Sequence, residues 1–175
     1  MSVSRQLADA LVKAGIPETP IECAPLAGGC IHEVSKVSFR DRPPVVCKCS
    51  LEHLGVAQLQ AEAVSLRSLL GLSAQPLRIP EILGSPEESG TAVLILEWLE
   101  PGSPSDSMWI QFGRDLASMH QLSAGRRYGF EEANFIGATP QMNDWHEDWI
   151  EFNQVCRFEP QIQRARDTGV LDADE

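Results

Sequence analysis

The chain has no apolar run near the roughly 18 residues of a membrane span, and Met1–Lys13 lacks the charged-then-apolar order of a signal peptide. It also lacks any C-x-x-C pair. Its five cysteines are Cys23, Cys30, Cys47, Cys49 and Cys156. An odd number with no export signal argues for reduced thiols and a cytoplasmic protein. Cys47-Lys48-Cys49 has no second ligand pair nearby, so no metal site is expected. Basic residues are scarce: 14 Lys and Arg stand against 25 Asp and Glu, a net charge of −11. Without a basic stripe, neither nucleic acid nor a membrane is an expected partner. An anionic ligand held in a local site is not excluded. No internal repeat or low-complexity tract occurs.

The sequence does have 175 residues of 43% hydrophobic content, enough for one domain or two small lobes with a real core. Ser4 to Ala14 predicts a helix, with Leu7, Ala10, Leu11 and Ala14 on one face and Gly15 as its stop. Strands are predicted over Ile21–Leu26, Val34–Phe39 and Val45–Cys49, as a meander with Gly28-Gly29 in its first turn. A helix over about Val56–Leu70 follows, then a short strand over Glu81–Gly84 and a strongly apolar strand over Thr91–Trp98. Pro101-Gly102-Ser103-Pro104 breaks the chain, and no strand pattern is read after it. Helices are predicted over Ser105–Gln121 and Asp144–Phe158, the second interrupted or kinked by Pro160. His120 lies on the Trp109/Phe112/Leu116 stripe and reads as a satisfied core histidine.

Lys48 and Glu62 stand out. In the strand Val45–Cys49, Lys48 shares a face with Val46. In the helix after it, Glu62 interrupts the stripe of Leu59, Ala63, Leu66 and Leu70. Each is costly to bury alone and a good partner for the other. A strand lysine held by a helix glutamate is how kinases present the lysine that grips the α- and β-phosphates of a nucleotide. The alternative is an edge-strand lysine and a glutamate that snorkels at the stripe's border.

The order of parts is that of a protein-kinase-like small lobe: Gly-rich turn, strand lysine, helix glutamate, apolar strand, then helices. The local wording goes further. Ala27 through His32, Leu116 through His120, and above all Tyr128-Gly129-Phe130, Asn134 through Gly137, Pro140 through Asn143 and Trp145–Trp149 resemble the fructosamine-3-kinase (ketosamine-3-kinase) family, which is related to the aminoglycoside and choline kinases. The resemblance runs from about Leu26 to Leu171, and the Tyr128–Trp149 run is its specific part. It implies an α+β fold with a small nucleotide-binding lobe over 1–99, a linker over 100–104 and a partial helical large lobe over 105–175. It implies ATP, with Mg²⁺ for the complete family member, and a ketosamine acceptor whose phosphorylation leads to deglycation. Lys48 would bind the phosphates, Glu62 would position it, and Gly28-Gly29 would cover them. Backbone groups of Glu97, Trp98 and Leu99 would meet the adenine edge.

The sequence departs from the kinase pattern in two places. Against G-x-G-x-x-G-x-V ending at Val34, only Gly29 matches; Ala27 and His32 take the other glycine positions. The family's catalytic aspartate, in a histidine-glycine-aspartate setting, and its metal-holding aspartate are not found before Glu175. His146-Glu147-Asp148 is rejected as the triplet because it falls on a predicted helix. These 175 residues are therefore expected to bind nucleotide without phosphoryl transfer. Two other readings stay open: a non-catalytic nucleotide-binding or interaction remnant, and a fragment of an aminoglycoside- or choline-type kinase. Self-association through exposed large-lobe helices or Cys30 belongs with the first of these. Cys30, in the Gly-rich turn, is the redox candidate.

Overall fold

The computed structural model describes residues 4–27, 32–50, 52–72, 76–88 and 90–171. Its elements divide into two compact units, residues 1–123 and 124–175.

The first unit opens with α1 (Arg5–Lys13), capped by the Ser4 hydroxyl, which accepts from the Leu7 amide at 3.2 Å. Gly15, at φ +77°, ends it. The sheet then forms from β1 (Glu22–Pro25), β2 (Glu33–Ser38) and β3 (Val45–Ser50). After α2 (His53–Leu70) come β4 (Ile82–Gly84), β5 (Glu87–Glu88) and β6 (Thr91–Glu97). The strand order is β1-β2-β3-β6-β4, with β5 also on β6, and every pairing is antiparallel. β1–β4 and β6 fall where the sequence predicts strands, with bounds that differ by a residue or two; β5 lies in a stretch rich in turn formers where no strand is predicted.

Strand alternation gives the sheet two apolar faces, and each is covered by a helix. Leu7, Ala10 and Leu11 of α1 pack with Val37, Val45, Cys47, Val93 and Ile95. Val56, Leu59 and Ala63 of α2 pack with Ala92, Leu94 and Leu96. Because β3 and β6 lie centrally, between those helices, residues of either parity are buried; β6 reads as an unbroken apolar run for this reason. Each fully buried Leu, Ile or Val contributes about 1.5–3 kcal/mol.

Helix α3 (Asp106–Leu122) is capped by Ser105, whose hydroxyl accepts from the Met108 amide at 3.3 Å. It has no buried residue. Trp109 is 58% and Phe112 44% exposed, and His120 is exposed as well. The expectation that His120 is a core histidine is thus corrected: helical spacing shows that residues share a face, not that anything covers it.

The second unit corrects two more expectations and gives a third its form. Strands do occur after the Pro-Gly break: β7 (Asn134–Ile136) and β8 (Thr139–Gln141) form a hairpin. Three residues per strand are too few for a period of two to show, and the turn glycine, Gly137 at φ +59°, was the available sign. The helix does not begin at Asp144. α4 (Trp149–Asn153) starts where the Asp148 carboxylate accepts from the Ile150 and Glu151 amides at 2.8 and 2.9 Å. Trp145 to Glu147 precede it outside any helix, where His146 and Tyr128 exchange amide hydrogen bonds of 2.8 and 2.9 Å in an isolated antiparallel bridge. The His146–Asp148 triplet therefore lies off the helix, but Asp148 is committed as a cap. Finally, the interruption by Pro160 takes the form of a π-helical turn over Gln154–Phe158 that runs into α5 (Glu159–Asp167). Proline cannot donate to the Cys156 carbonyl four residues back. The Arg157 guanidinium donates to that carbonyl instead at 2.9 Å, and also to the Met142 carbonyl and Asn143 Oδ1, each at 2.6 Å.

Gly129 shows how tightly this unit closes. A Cβ there would lie 2.8 Å from the Asn143 carbonyl oxygen and 3.0 Å from that of Asp144, both backbone atoms. Gly137 has nothing within 4 Å and only its left-handed backbone to satisfy. Gly129→Ala is expected to destabilise by about 2–3 kcal/mol and Gly137→Ala by about 1 kcal/mol in thermal unfolding.

Candidate functional site

Lys48 and Glu62 meet. Lys48 leaves β3 on the face shared with Val46, Leu94 and Leu96, because Lys48 is registered against Val34 on β2 and Leu94 on β6. Glu62 comes down from α2 onto the same face. The Lys48 Nζ–Glu62 Oε1 distance is 2.5 Å, with side chains 25% and 31% exposed. The pair is half-desolvated at the edge of an apolar layer, which makes it stronger than a surface ion pair and leaves lysine donors for another anion.

His32, not singled out as a site residue by the sequence, stands beside this pair. Burial holds its imidazole below the ordinary histidine value; Glu62 opposes that shift and Lys48 adds to it. Its Nδ1 is buried and has no hydrogen-bond partner among the described residues. The signal in the sequence was a large polar residue where a phosphate-binding turn ordinarily has glycine. Gly55, in the first turn of α2, belongs to the same contact. A Cβ on Gly55 would lie 2.0 Å from Ser50 Oγ and 3.4 Å from His32 Cε1. Glycine is therefore required for α2 to approach the end of β3 so closely.

At the other end of the face, Glu97, Trp98 and Leu99 leave β6, all half-buried. The Glu97 carboxylate pairs with Arg78 and accepts from the Glu81 amide at 3.3 Å, and its own amide donates to the Glu81 carbonyl at 2.9 Å. The Trp98 indole N–H donates to Glu100 at 2.7 Å, and Lys36 of β2 places its ammonium 4.0 Å from the Trp98 ring centroid. Gly28, Gly29 and Cys30 lie outside the described residues. Of the other thiols, burial pushes Cys47 up to about 12 and Cys49 up to about 11. No helix among the described residues is long and apolar enough to cross a membrane, and no group of three His, Cys, Asp or Glu there could hold a metal.

An antiparallel sheet whose central strand carries a lysine, paired to a glutamate on the helix behind it, is the arrangement of a kinase-like small lobe. The whole chain matches the family model described as fructosamine kinase, over residues 2–175, and it belongs to that family. A Synechocystis sp. protein named "Probable ketoamine kinase" is 36% identical over 107 residues, 61% of this chain and 36% of that protein. The chloroplastic protein-ribulosamine 3-kinase of Arabidopsis thaliana is 32% identical over 144 residues, 81% of this chain and 43% of that protein. A solved Thermobifida fusca structure, named a "putative fructosamine-3-kinase", superposes with a TM-score of 0.79 at 24% identity over 98% of this chain and 58% of that one. The likeness to it shows the fold: α+β, with the antiparallel sheet and helices of a kinase-like protein. The chain spans about half or less of the length of these two relatives.

Replacing Glu62 by Gln keeps its shape and removes its charge. Glu62→Gln is expected to cost about 1–2 kcal/mol in chemical denaturation, between the limits for exposed and buried pairs. The far-ultraviolet spectrum should stay unchanged.

Proposed function

We propose that this chain is the nucleotide-gripping part of a ketosamine kinase. In such an enzyme the γ-phosphoryl group of ATP passes to a sugar hydroxyl of a free or protein-bound ketosamine. The reading rests on the Lys48–Glu62 pair, set on one face of the sheet in a chain of this family. Lys48 holds the α- and β-phosphates and Glu62 fixes the lysine's rotamer. Gly28-Gly29 covers the phosphates, and the backbone of Glu97, Trp98 and Leu99 meets the adenine edge. Residues 1–99 form the small lobe, 100–104 the linker, and 105–175 the first helices of the large lobe. Mg²⁺ would accompany the nucleotide; no residue here is assigned to it. No histidine-glycine-aspartate triplet occurs in the 175 residues. They are therefore assigned nucleotide binding without transfer.

A second reading, an interaction module, is favoured by α3, whose Met108, Trp109, Ile110 and Phe112 are all exposed. It would appear as concentration-dependent association in light scattering that survives Lys48→Ala.

Isothermal titration of the purified chain with ATP tests the first reading. Binding is expected, weakened tenfold or more by Lys48→Ala, with ketosamine-dependent ADP release at background. Equal affinity in a folded Lys48→Ala chain would overturn the site, and turnover lost in that variant would overturn the division of labour. On the same reading Cys30 is the redox-responsive thiol. Alkylation of the folded chain at pH 8, followed by mass spectrometry, should label Cys30 faster than Cys156 or Cys47. Cys47 has a thiolate fraction there of roughly one in ten thousand. Labelling of Cys30 no faster than these two would end the redox role.

A further inference from the structure

An imidazole nitrogen that is buried and unpaired carries a desolvation cost, and such a group calls for an explanation. Among the described residues His32 Nδ1 is one, beside the Lys48–Glu62 pair. His32 immediately precedes β2, where Val34 is registered against Lys48, and the charges of Lys48 and Glu62 both act on its imidazole. Glu33 takes the opposite face with its partner Cys49, whose thiol it influences. The ring is packed toward the first turn of α2 at Gly55 and the end of β3 at Ser50. The charged groups that bear on it are Lys48 from β3 and Glu62 from α2. Glu52 and His53, at the start of α2, are exposed.

We propose that His32 is a ligand for the nucleotide's phosphates through Nδ1, and that it takes up a proton from solvent as they bind. This rests on the nucleotide-binding reading above. Lys48 and Glu62 cancel each other in formal charge, so a bound polyphosphate leaves this face strongly negative. A neutral imidazole can donate one N–H; protonated, it also adds a positive charge about a hydrogen bond from the phosphate oxygen. No other bond forms or breaks: a neutral histidine, one solvent proton and the nucleotide anion give an imidazolium–phosphate pair.

The sign follows from linkage. In the free chain His32 sits below the ordinary value of 6.5 and is neutral at pH 7. Phosphate raises its pKa. Nucleotide affinity therefore gains as pH falls through the raised, bound value, and the gain is complete below the depressed, free value. The ligand's own phosphate titration is common to wild type and His32→Asn, so their difference isolates the imidazole. Asparagine keeps a short side-chain donor and does not titrate.

The experiment is titration of the full 175-residue chain with ADP between pH 5.5 and 8, in buffers of different ionisation enthalpy. Wild type is expected to take up more protons per bound ADP than His32→Asn, by as much as one. Its affinity should rise on acidification by several-fold more, up to roughly tenfold for each unit of pKa shift. Independently of any variant's folding, the Cε1 proton resonance of His32 should titrate at higher pH with ADP present than without. The resonances of His53, His120 and His146 should not move. Adenosine, which lacks phosphate, should produce no shift. A His32 titration unchanged by bound ADP, or equal proton uptake by wild type and His32→Asn, would overturn the assignment while nucleotide binding stands. Absence of any ADP binding, or binding indifferent to Lys48→Ala, would instead overturn the nucleotide-binding reading and this proposal with it.

Discussion

A lysine in the middle of an apolar sheet is tolerable only if something meets its charge, and here Glu62 meets it at 2.5 Å. Much of the first unit is arranged so that this meeting can occur. β3 must be central for Lys48 to be half-desolvated, and α2 must lie flat on the same face for Glu62 to reach it. α2 lies that close because Gly55 has no side chain to strike Ser50. The opposite face is covered by α1, so both faces of β3 and β6 are packed and the lysine is the polar interruption of an apolar strand. The cost of bringing two charges partly out of water is offset by their mutual attraction and by the packing around them. What remains is a cation held in one place with donors to spare, which is what an anionic ligand requires.

The parts of this arrangement that were legible in the sequence are those with a strong local period. Val45 to Cys49 and the Leu59/Ala63 stripe fixed which faces Lys48 and Glu62 occupy, and from that their contact could be expected. Ser4 and Gly15 bounded α1 because capping is local chemistry. The misses have the opposite character. β7 and β8 pair only with each other, three residues at a time, and their own residues show no alternation long enough to read. The start of α4 was displaced because aromatic spacing from Trp145 onward fits a helix, whereas the Asp148 cap is a choice between neighbours that spacing does not reveal. The exposure of Trp109 and His120 on α3 depends on what, if anything, covers that helix. His32 was seen only as a missing glycine; its place beside the ion pair is a tertiary fact.

The π-helical turn illustrates a different kind of dependence. Pro160 removes a donor, and the orphaned carbonyl of Cys156 is taken by the side chain of Arg157. The same guanidinium lies 4.6 Å from Phe152 and binds Asn143, itself buried and donating to the Glu132 carbonyl at 2.9 Å. One side chain thereby fastens an irregular helix to the loop before it. Backbone irregularity is tolerated here because its loose ends converge on a single multivalent donor.

Lys36 and Trp98 give the first unit a property that no strand pairing supplies. β2 does not pair with β6; β3 lies between them. Yet the Lys36 ammonium rests on the Trp98 indole, and Glu100 holds the indole's far edge. β2 is thus tied to the segment that leaves β6 across an intervening strand. Displacing β2 would therefore strain the segment that leads out of the sheet, because the ring contact has to follow or be given up.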